Sequence, residues 1–477
     1  MNDATDVLVI GSGAGGAVIA ATLAEAGRSV LVIEDGPALD PTLAEVHGAE
    51  AIHRLFRHGA LSPLVGRPSV ALVEGRCVGG STEVNTSLWV RPAEATFERW
   101  QRRYGIRDLS ASDMTALYVE LESVLEVARS GDGPVAPSSA RLRDGFAATQ
   151  NPYIEAARTQ TGDLRRLQFV AEVRRSMSRT YIPRAVAAGA RVASECRAVR
   201  LHHRRGRVVR VDAVRHAHRE RLTIHADTVF VCGGPTQTPT LLRGSGITRN
   251  VGDQLDVHPM VKVAAEFDEP MDGHRMAVPI YQSSDAGGIV LGGAAFSAGL
   301  LATLLSENWA ANASAMAAWR SMAMYYTACR SSGHGRVRRM ALTGDTLLTY
   351  QASREDEVAL NTGLARLCEV LWAAGARRLF PGVRGAPPLT SRAMTREVLA
   401  KGIPLTSMVL SAVHALSSCP MGERDESSAV DSNGRVHGFD NLYVSDASAI
   451  PDSPGVNPQA TVMALALRTA RRFLARP

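Results

Sequence analysis

Two stretches hold residues whose types and spacing could do chemistry. The first is "SAVHALSSCPMG", residues 411–422, where His414 ends an apolar run and precedes a small loop containing Cys419 and Gly422. Histidine transfers protons near neutrality, but it is also a common satisfied core residue. Taken alone, His414 leaves both readings open. The second is "DVLVIGSGAGGAVIAATLAEAGRSVLVIEDG", residues 6–36. Gly11, Gly13 and Gly16 make G-x-G-x-x-G, Ala14 and Gly15 fill two of its variable positions, and Glu34 follows 18 residues after Gly16. The three glycines suit a tight turn, a close backbone approach to a pyrophosphate, and close helix–strand packing; Glu34 can accept from ribose hydroxyls. Such a site takes a dinucleotide, and the motif by itself does not separate FAD from NAD.

The elements that must position this motif are a buried strand over 7–10, an Ala-rich helix over 17–26 closed by Gly27, and a second strand over 29–33 ending at Glu34. The helix N-terminus offers unpaired N–H groups and a positive dipole end to phosphates. Three later segments extend the frame. "GRCVGGSTEVNTSLWVRP" (75–92) is a second glycine-rich turn, too early for an independent β-α-β unit. "ADTVFVCGGPTQTPTLLRGSGI" (226–247) reads as a strand of the same sheet, a Gly-Gly-Pro turn and a short helix. "NLYVSDASAIPDSPGVNPQATVMALALRTARRFL" (441–474) reads as strand, Asp-containing turn, Pro/Gly loop and amphipathic terminal helix.

Composition sets the bounds. The 477 residues allow two or three domains with an interior cleft, and 45% hydrophobic with 21% charged residues is ordinary for a soluble globular protein. Aromatics at 5% argue against stacking platforms for nucleic acid. The net charge of +6 includes an Arg-rich stretch at 200–222 and another at 336–340. Val208, Val209, Val211 and Val214 interrupt the first as strand faces would, so it reads as a solvated hairpin that also carries His202, His203, His216 and His218. Six cysteines without C-x-x-C spacing, and no H-x-x-H or paired carboxylates, suggest neither a metal nor a disulfide framework. With no export-type leader and no apolar run long enough to span a bilayer, a cytoplasmic protein without a membrane span is expected.

The four blocks "GGST…N…R", "GGPTQTPTLLRGSGI", "VGDQLDVHP" (251–259) and "H…MG…NLYVSDAS…NP…T" stand in the order of the glucose-methanol-choline (GMC) family of FAD-dependent alcohol oxidoreductases, which the chain resembles over nearly its whole length. The resemblance implies an α/β fold, with a discontinuous Rossmann-like FAD-binding domain (1–92, 185–259 and 411–477) and an inserted α+β substrate domain (93–184 and 260–410) of antiparallel sheet plus helices. It implies strands in "KVAAEF" and "VPIYQSS", and a mobile Ala-rich stretch around 293–325. It places Gly79, Gly80, Ser81 and Asn85 along the pyrophosphate and flavin, Asp446 at the ribityl-pyrophosphate region, and the segment around Ala198 against the adenine. His258 of the "HP" pair reads as structural, packing a domain joint.

By the same resemblance His414 is the base that removes the hydroxyl proton while hydride passes to flavin N5. Asn457, 43 residues on, is the partner that donates to the substrate oxygen. Pro458 and Gln459 begin a helix whose positive end faces the flavin N1–C2=O edge and favours negative charge there. "LSS" departs from the family's more usual Gly-Thr after the histidine. Val84 stands where some members carry the histidine that tethers FAD covalently, so non-covalent FAD is expected. The implied partners are a small alcohol substrate and, as electron acceptor, oxygen or an unidentified carrier. Among short actinobacterial members, those that oxidise the 6′-hydroxymethyl of aminoglycosides such as paromamine are the nearest resemblance. That implies a role in antibiotic biosynthesis, with Asp272, Asp285 and Glu307 as candidate counter-ions for an amino sugar. A family lyase with structural flavin, another small-alcohol or sterol dehydrogenase, and an NAD-dependent dehydrogenase are the alternatives.

Overall fold

The computed structural model describes residues 2–39, 48–129, 135–161, 173–271, 273, 278–285 and 287–476. Residues 7–10 and 30–33 are apolar and buried on both faces, the pattern of central strands in a parallel sheet covered by helices on each side. Strands Arg191–Ala193, Val30–Ile33, Asn2–Ile10, Glu220–Val231 and Leu442–Val444 run parallel in that order. Glu220–Val231 does two jobs. Its first half alternates buried with open positions and pairs antiparallel with Arg207–Arg215, whereas Val229, Phe230 and Val231 are fully buried and pair with Asn2–Ile10 and Leu442–Val444. The Arg-rich stretch is accordingly a hairpin, Cys196–Arg204 with Arg207–Arg215, on the sheet's edge. Helix Ala14–Glu25 lies between the sheet and the terminal helix Gln459–Leu474, and its buried face is built of Ala17, Ala20, Ala21 and Ala24. These small side chains let the helices come close.

The second sheet runs His334–Arg339, Thr346–Gln351, Ser62–Val65, Val70–Leu72, Leu410–Ala412, Met260–Glu266, Met322–Cys329, Ile289–Gly293, Tyr281–Ser284 and Ile154–Glu155, with Arg378–Pro381 also on Met260–Glu266. Its strands obey a strict two-residue alternation. Val261, Val263, Ala265, Ala323 and Tyr325 pack with Leu360, Leu364, Leu367 and Leu371 of helix Arg354–Ala373. The intervening Met260, Lys262, Met324, Tyr326 and Ala328 face the other way, into a cavity shared with the nucleotide-type sheet. The stretch expected to be mobile around 293–325 is instead helix Ala298–Leu305, short 3-10 turns and the start of a central strand that carries Tyr325 and Tyr326.

Sheet and core membership divide the chain differently from the expected segments. Residues 62–72, placed by the sequence in the first FAD segment, supply two strands of the second sheet. Helices Glu94–Tyr104 and Ala111–Leu125, assigned to the inserted domain, bury Phe97, Trp100, Met114, Leu117 and Leu121 in the core of the first sheet. Their apolar faces match the surface beside the terminal helix, which no local pattern reveals. Leu410–Ala412 likewise belongs to the second sheet. Among the described residues no helix is long and apolar enough to cross a membrane, and no cluster of three or more His, Cys, Asp or Glu could hold a metal. Leu364 is fully buried between helix and second sheet. Leu364→Ala is expected to cost about 2–5 kcal/mol, seen as a lowered urea midpoint of unfolding.

Candidate functional site

One large cavity of about 1000 Å³ lies between the two sheets. Fourteen sequence-predicted site residues line it: Gly11, Gly13, Ala14, Gly15, Glu34, Gly80, Ser81, Asn85, Ala198, His414, Asp446, Asn457, Pro458 and Gln459. Gly16 and Gly79 stand just behind the wall. A Cβ on Gly16 would meet the Gly11 carbonyl oxygen at 2.0 Å, so this glycine is needed where the helix presses on the strand.

At one end the strand–helix turn opens. The N-cap of Ala14–Glu25 is Gly13, with no side-chain cap and no acid in the first turn, so its N–H groups are left for a ligand. Glu34 ends its strand with Oε2 accepting from Ser12 N (2.9 Å) and Ser12 Oγ (2.8 Å), and Oε1 accepting from Gly36 N (2.9 Å). Burial pushes the Glu34 carboxyl above its ordinary range despite these bonds. Ser12 Oγ also accepts from Gly79 N (3.0 Å), tying the first glycine turn to the second. Gly80 adopts φ +58° and lies so near Gly13 that a Cβ on it would approach the Gly13 Cα at 2.9 Å. The Asp446 carboxylate, held above its ordinary range by burial, accepts from Gly234 N (2.9 Å), Thr238 Oγ1 (2.5 Å) and Ser448 N (2.7 Å). It ties its own loop to the start of helix Gly234–Gly244 at the cavity wall.

Towards the other end, Asn85 donates to Gln459 Oε1 and accepts from Ser87 N and Arg174 Nη2 at 2.9 and 2.7 Å. The terminal helix begins at Pro458 without a side-chain cap or an acid in its first turn. An elongated cavity with an uncapped helix N-terminus at each of two places, and an acid at a strand end, fits a dinucleotide of FAD type. Val84 is buried with Phe56, Cys77 and Leu55.

His414 and Asn457 meet. Asn457 Nδ2 lies 3.4 Å from His414 Nε2, and Asn457 Oδ1 accepts from Gln282 Nε2 at 3.4 Å, which also donates to Tyr326 Oη at 3.2 Å. Behind His414 stands His258, whose Nδ1 is 2.9 Å from His414 Nδ1 and whose Nε2 is 2.5 Å from Ser453 Oγ. His258 therefore does more than pack a domain joint, as its sequence context suggested: it is the hydrogen-bond partner of the candidate base. The orientation of the Asn457 amide sets the proton pattern along these groups. With the Asn457 amide donating, His414 Nε2 is bare; His414 Nδ1–H then donates to His258 Nδ1, and His258 Nε2–H donates to Ser453. Ser453 is held by its neighbour Asp452, which accepts from Arg99 Nη2 (2.8 Å), Trp100 Nε1 (2.6 Å) and Tyr104 Oη (3.3 Å). Burial, and then the charge of His258, hold His414 well below the ordinary histidine range. Burial, and then Arg330, lower His258 to about 4.

Sequence reasoning missed His258 as a partner, together with Gln282 and Tyr326, because strand pairing rather than spacing brings them to this wall. The "HP" dipeptide of 258–259 was the one signal available for His258.

The patterns of the GMC oxidoreductase family match residues 50–260 and 335–466, and that of an NAD(P)-binding Rossmann-like domain matches 9–42. An uncharacterised GMC-type oxidoreductase, y4nJ, of Sinorhizobium fredii is 34% identical over 98% of this chain and 94% of its own. The long-chain-alcohol oxidase FAO3 of Arabidopsis thaliana is 25% identical over 98% of this chain and 67% of its own. Among solved structures, pyridoxine 4-oxidase from Mesorbium loti superposes with a TM-score of 0.74 over 99% of this chain and 100% of that one, at 18% identity.

Both buried imidazoles are uncharged at neutral pH, since each is shifted downwards. In carbon-13 histidine spectra assigned with His414→Gln and His258→Gln, both signals are expected to stay at the neutral position from pH ~8 to ~5.5. A midpoint near 6.5 for either ring would contradict the arrangement.

Proposed function

The chain belongs to the GMC oxidoreductase family, and on that premise we propose that it oxidises a primary alcohol with FAD bound in the cavity between its two sheets. FAD, the cofactor of this family, supplies the hydride acceptor when bound. The observation that carries the reading is His414 on the cavity wall, its Nε2 3.4 Å from the Asn457 amide nitrogen and its imidazole held well below the ordinary histidine range by desolvation. A neutral imidazole there can take the hydroxyl proton. The Asn457 amide can donate to the oxygen that loses it, with its carbonyl held by Gln282 so that the N–H side faces the base. His258 keeps the proton of His414 on Nδ1 and accepts a hydrogen bond from that N–H when the ring becomes charged. Gly11, Gly13, Ala14, Gly15, Glu34 and Ala198 would hold the adenosine and pyrophosphate end. Gly80, Ser81, Asn85, Pro458 and Gln459 would hold the flavin end.

Val84 leaves no histidine at the family's tethering position, which supports non-covalent FAD. The long-chain-alcohol oxidase and pyridoxine 4-oxidase among the similar proteins are named for substrates that carry a hydroxyl group. The amino-sugar version of this reading has less support. Asp285 pairs with Arg366 and Glu307 with Arg384, neither lines the cavity, and Asp272 lies outside the described residues.

The test is anaerobic mixing of the flavin-loaded protein with a panel of primary alcohols, following flavin absorbance. Bleaching is expected with at least one of them, slowed by about a hundred- to ten-thousand-fold in His414→Ala at unchanged flavin content. No bleaching by any alcohol would overturn oxidation in favour of a lyase-type reaction. Acid precipitation is expected to leave a colourless pellet and a yellow supernatant; a yellow pellet would mean a covalent link.

A further inference from the structure

Lys262 is a charged side chain lining the cavity. Lys262 makes no hydrogen bond or ion pair among the described residues, and burial alone, with no acid to offset it, lowers its amine below the ordinary lysine range. It sits in the middle of strand Met260–Glu266, at a position facing the cavity because its neighbours Val261 and Val263 face the helix side. Nothing in the fold requires a cation there. A methionine such as Met260 or Met324 lines the same wall without the cost of desolvating a charge.

The other charges are distributed one-sidedly. The carboxylates among the cavity-lining residues are Glu34, Asp35, Glu74, Asp345 and Asp446. Glu34 and Asp35 end a strand of the nucleotide-type sheet; Glu74 accepts from Thr236 and pairs with Arg57; Asp446 holds Gly234 and Thr238; Asp345 sits in the hairpin turn whose Thr346 bonds Gln237 and Thr240. None of them reaches Lys262. The nearest charge on the side of the imidazoles is Arg330, an exposed cation that lowers His258 and has no ion pair among the described residues. This half of the cavity is therefore positive.

Lys262 is also in register with the proposed reaction site. It pairs directly with Tyr326, so the two side chains project from the same face with Cβ atoms about 5 Å apart. Tyr326 Oη reaches Asn457 through Gln282. Along the chain, Lys262 lies four residues beyond His258, and its side chain has a flexible four-carbon stem. A small molecule with its hydroxyl at His414 can thus place a second group at Lys262.

We propose that Lys262 is the counter-ion for an oxyanion, a carboxylate or a phosphate ester, carried by the alcohol substrate at the end remote from the reacting hydroxyl; this rests on the alcohol-oxidation reading above. An anion there compensates the unpaired cation on the cavity wall and gives the substrate a fixed direction in the cavity. A polycationic substrate meets repulsion from the same group.

The test uses flavin-loaded wild type, Lys262→Met and Lys262→Arg, with two readouts. Binding of non-oxidisable alkyl carboxylates and alkyl phosphates is measured by calorimetry. Anaerobic flavin reduction is measured with ω-hydroxycarboxylates, their methyl esters and alkanediol monophosphates of increasing chain length. Wild type is expected to bind one anion class and to prefer the corresponding anionic alcohol over its neutral counterpart by about tenfold or more. Lys262→Met should lose both the binding and the preference, its rate falling about tenfold or more further with the anionic alcohol than with the neutral one; Lys262→Arg should keep the preference in part. Whichever of carboxylate or phosphate is retained identifies the anion. Equal binding of both anion classes by wild type and Lys262→Met, or an equal loss for neutral and anionic alcohols, would overturn the proposal. Anion binding lost in Lys262→Met without bleaching by any alcohol would sink the oxidation reading and leave the anion site standing.

Discussion

Two imidazole rings meet nitrogen to nitrogen in the interior, 2.9 Å apart, and only one proton fits between them. That single proton organises the rest of the site. If it belongs to His414, the ring must present a bare Nε2 to the cavity, and His258 must send its own proton to Ser453. The loop carrying Ser453 is in turn fastened by Asp452 to Arg99, Trp100 and Tyr104, on a helix that packs in the nucleotide-type core. The protonation state of a group in the cavity thus depends on the packing of a helix well behind it. Low dielectric surroundings make the arrangement strict, because desolvation disfavours a charge on either ring.

The two ends of the cavity solve different electrostatic problems. At the nucleotide end, acids are numerous but each is engaged by backbone N–H groups, hydroxyls or arginines, and the open positions are helix N-termini. Helix N-termini of this kind suit phosphates. Around His258 and His414, on the side of the second sheet, stand two imidazoles, two amides and a phenol, and among the described residues the charged side chains of this part are the cations Lys262 and Arg330. The alternation of strand Met260–Glu266 sets this division, since a shift of one residue would turn Lys262 into the helix-packed core and Val261 to the cavity.

Much of the nucleotide end is legible in the chain itself. G-x-G-x-x-G with Glu34 needs only local geometry, a strand, a turn and a helix contiguous in sequence, so spacing alone places its parts. The second glycine turn and the Asp446 loop were readable only through resemblance, since nothing local says that Gly79 meets Ser12 or that Asp446 holds the start of the 234–244 helix. The segment boundaries were legible least. Helices 94–104 and 111–125 look like any amphipathic helices, and which sheet receives their apolar faces is a property of the assembled surfaces.

What the sequence determined by itself is the local chemistry: a dinucleotide turn, an acid at a strand end, a histidine before a small loop, and a valine where a tethering histidine could stand. The tertiary structure alone decided which groups face each other. His258 and His414 are 156 residues apart, Gln282 and Asn457 are 175 apart, and Lys262 owes its place in the cavity to pairing with Tyr326. Side-chain type is written residue by residue, but a proton's location and a cation's isolation are properties of neighbours. Neighbours across strands of one sheet, and across the gap between two, are set by packing that no spacing along the chain records.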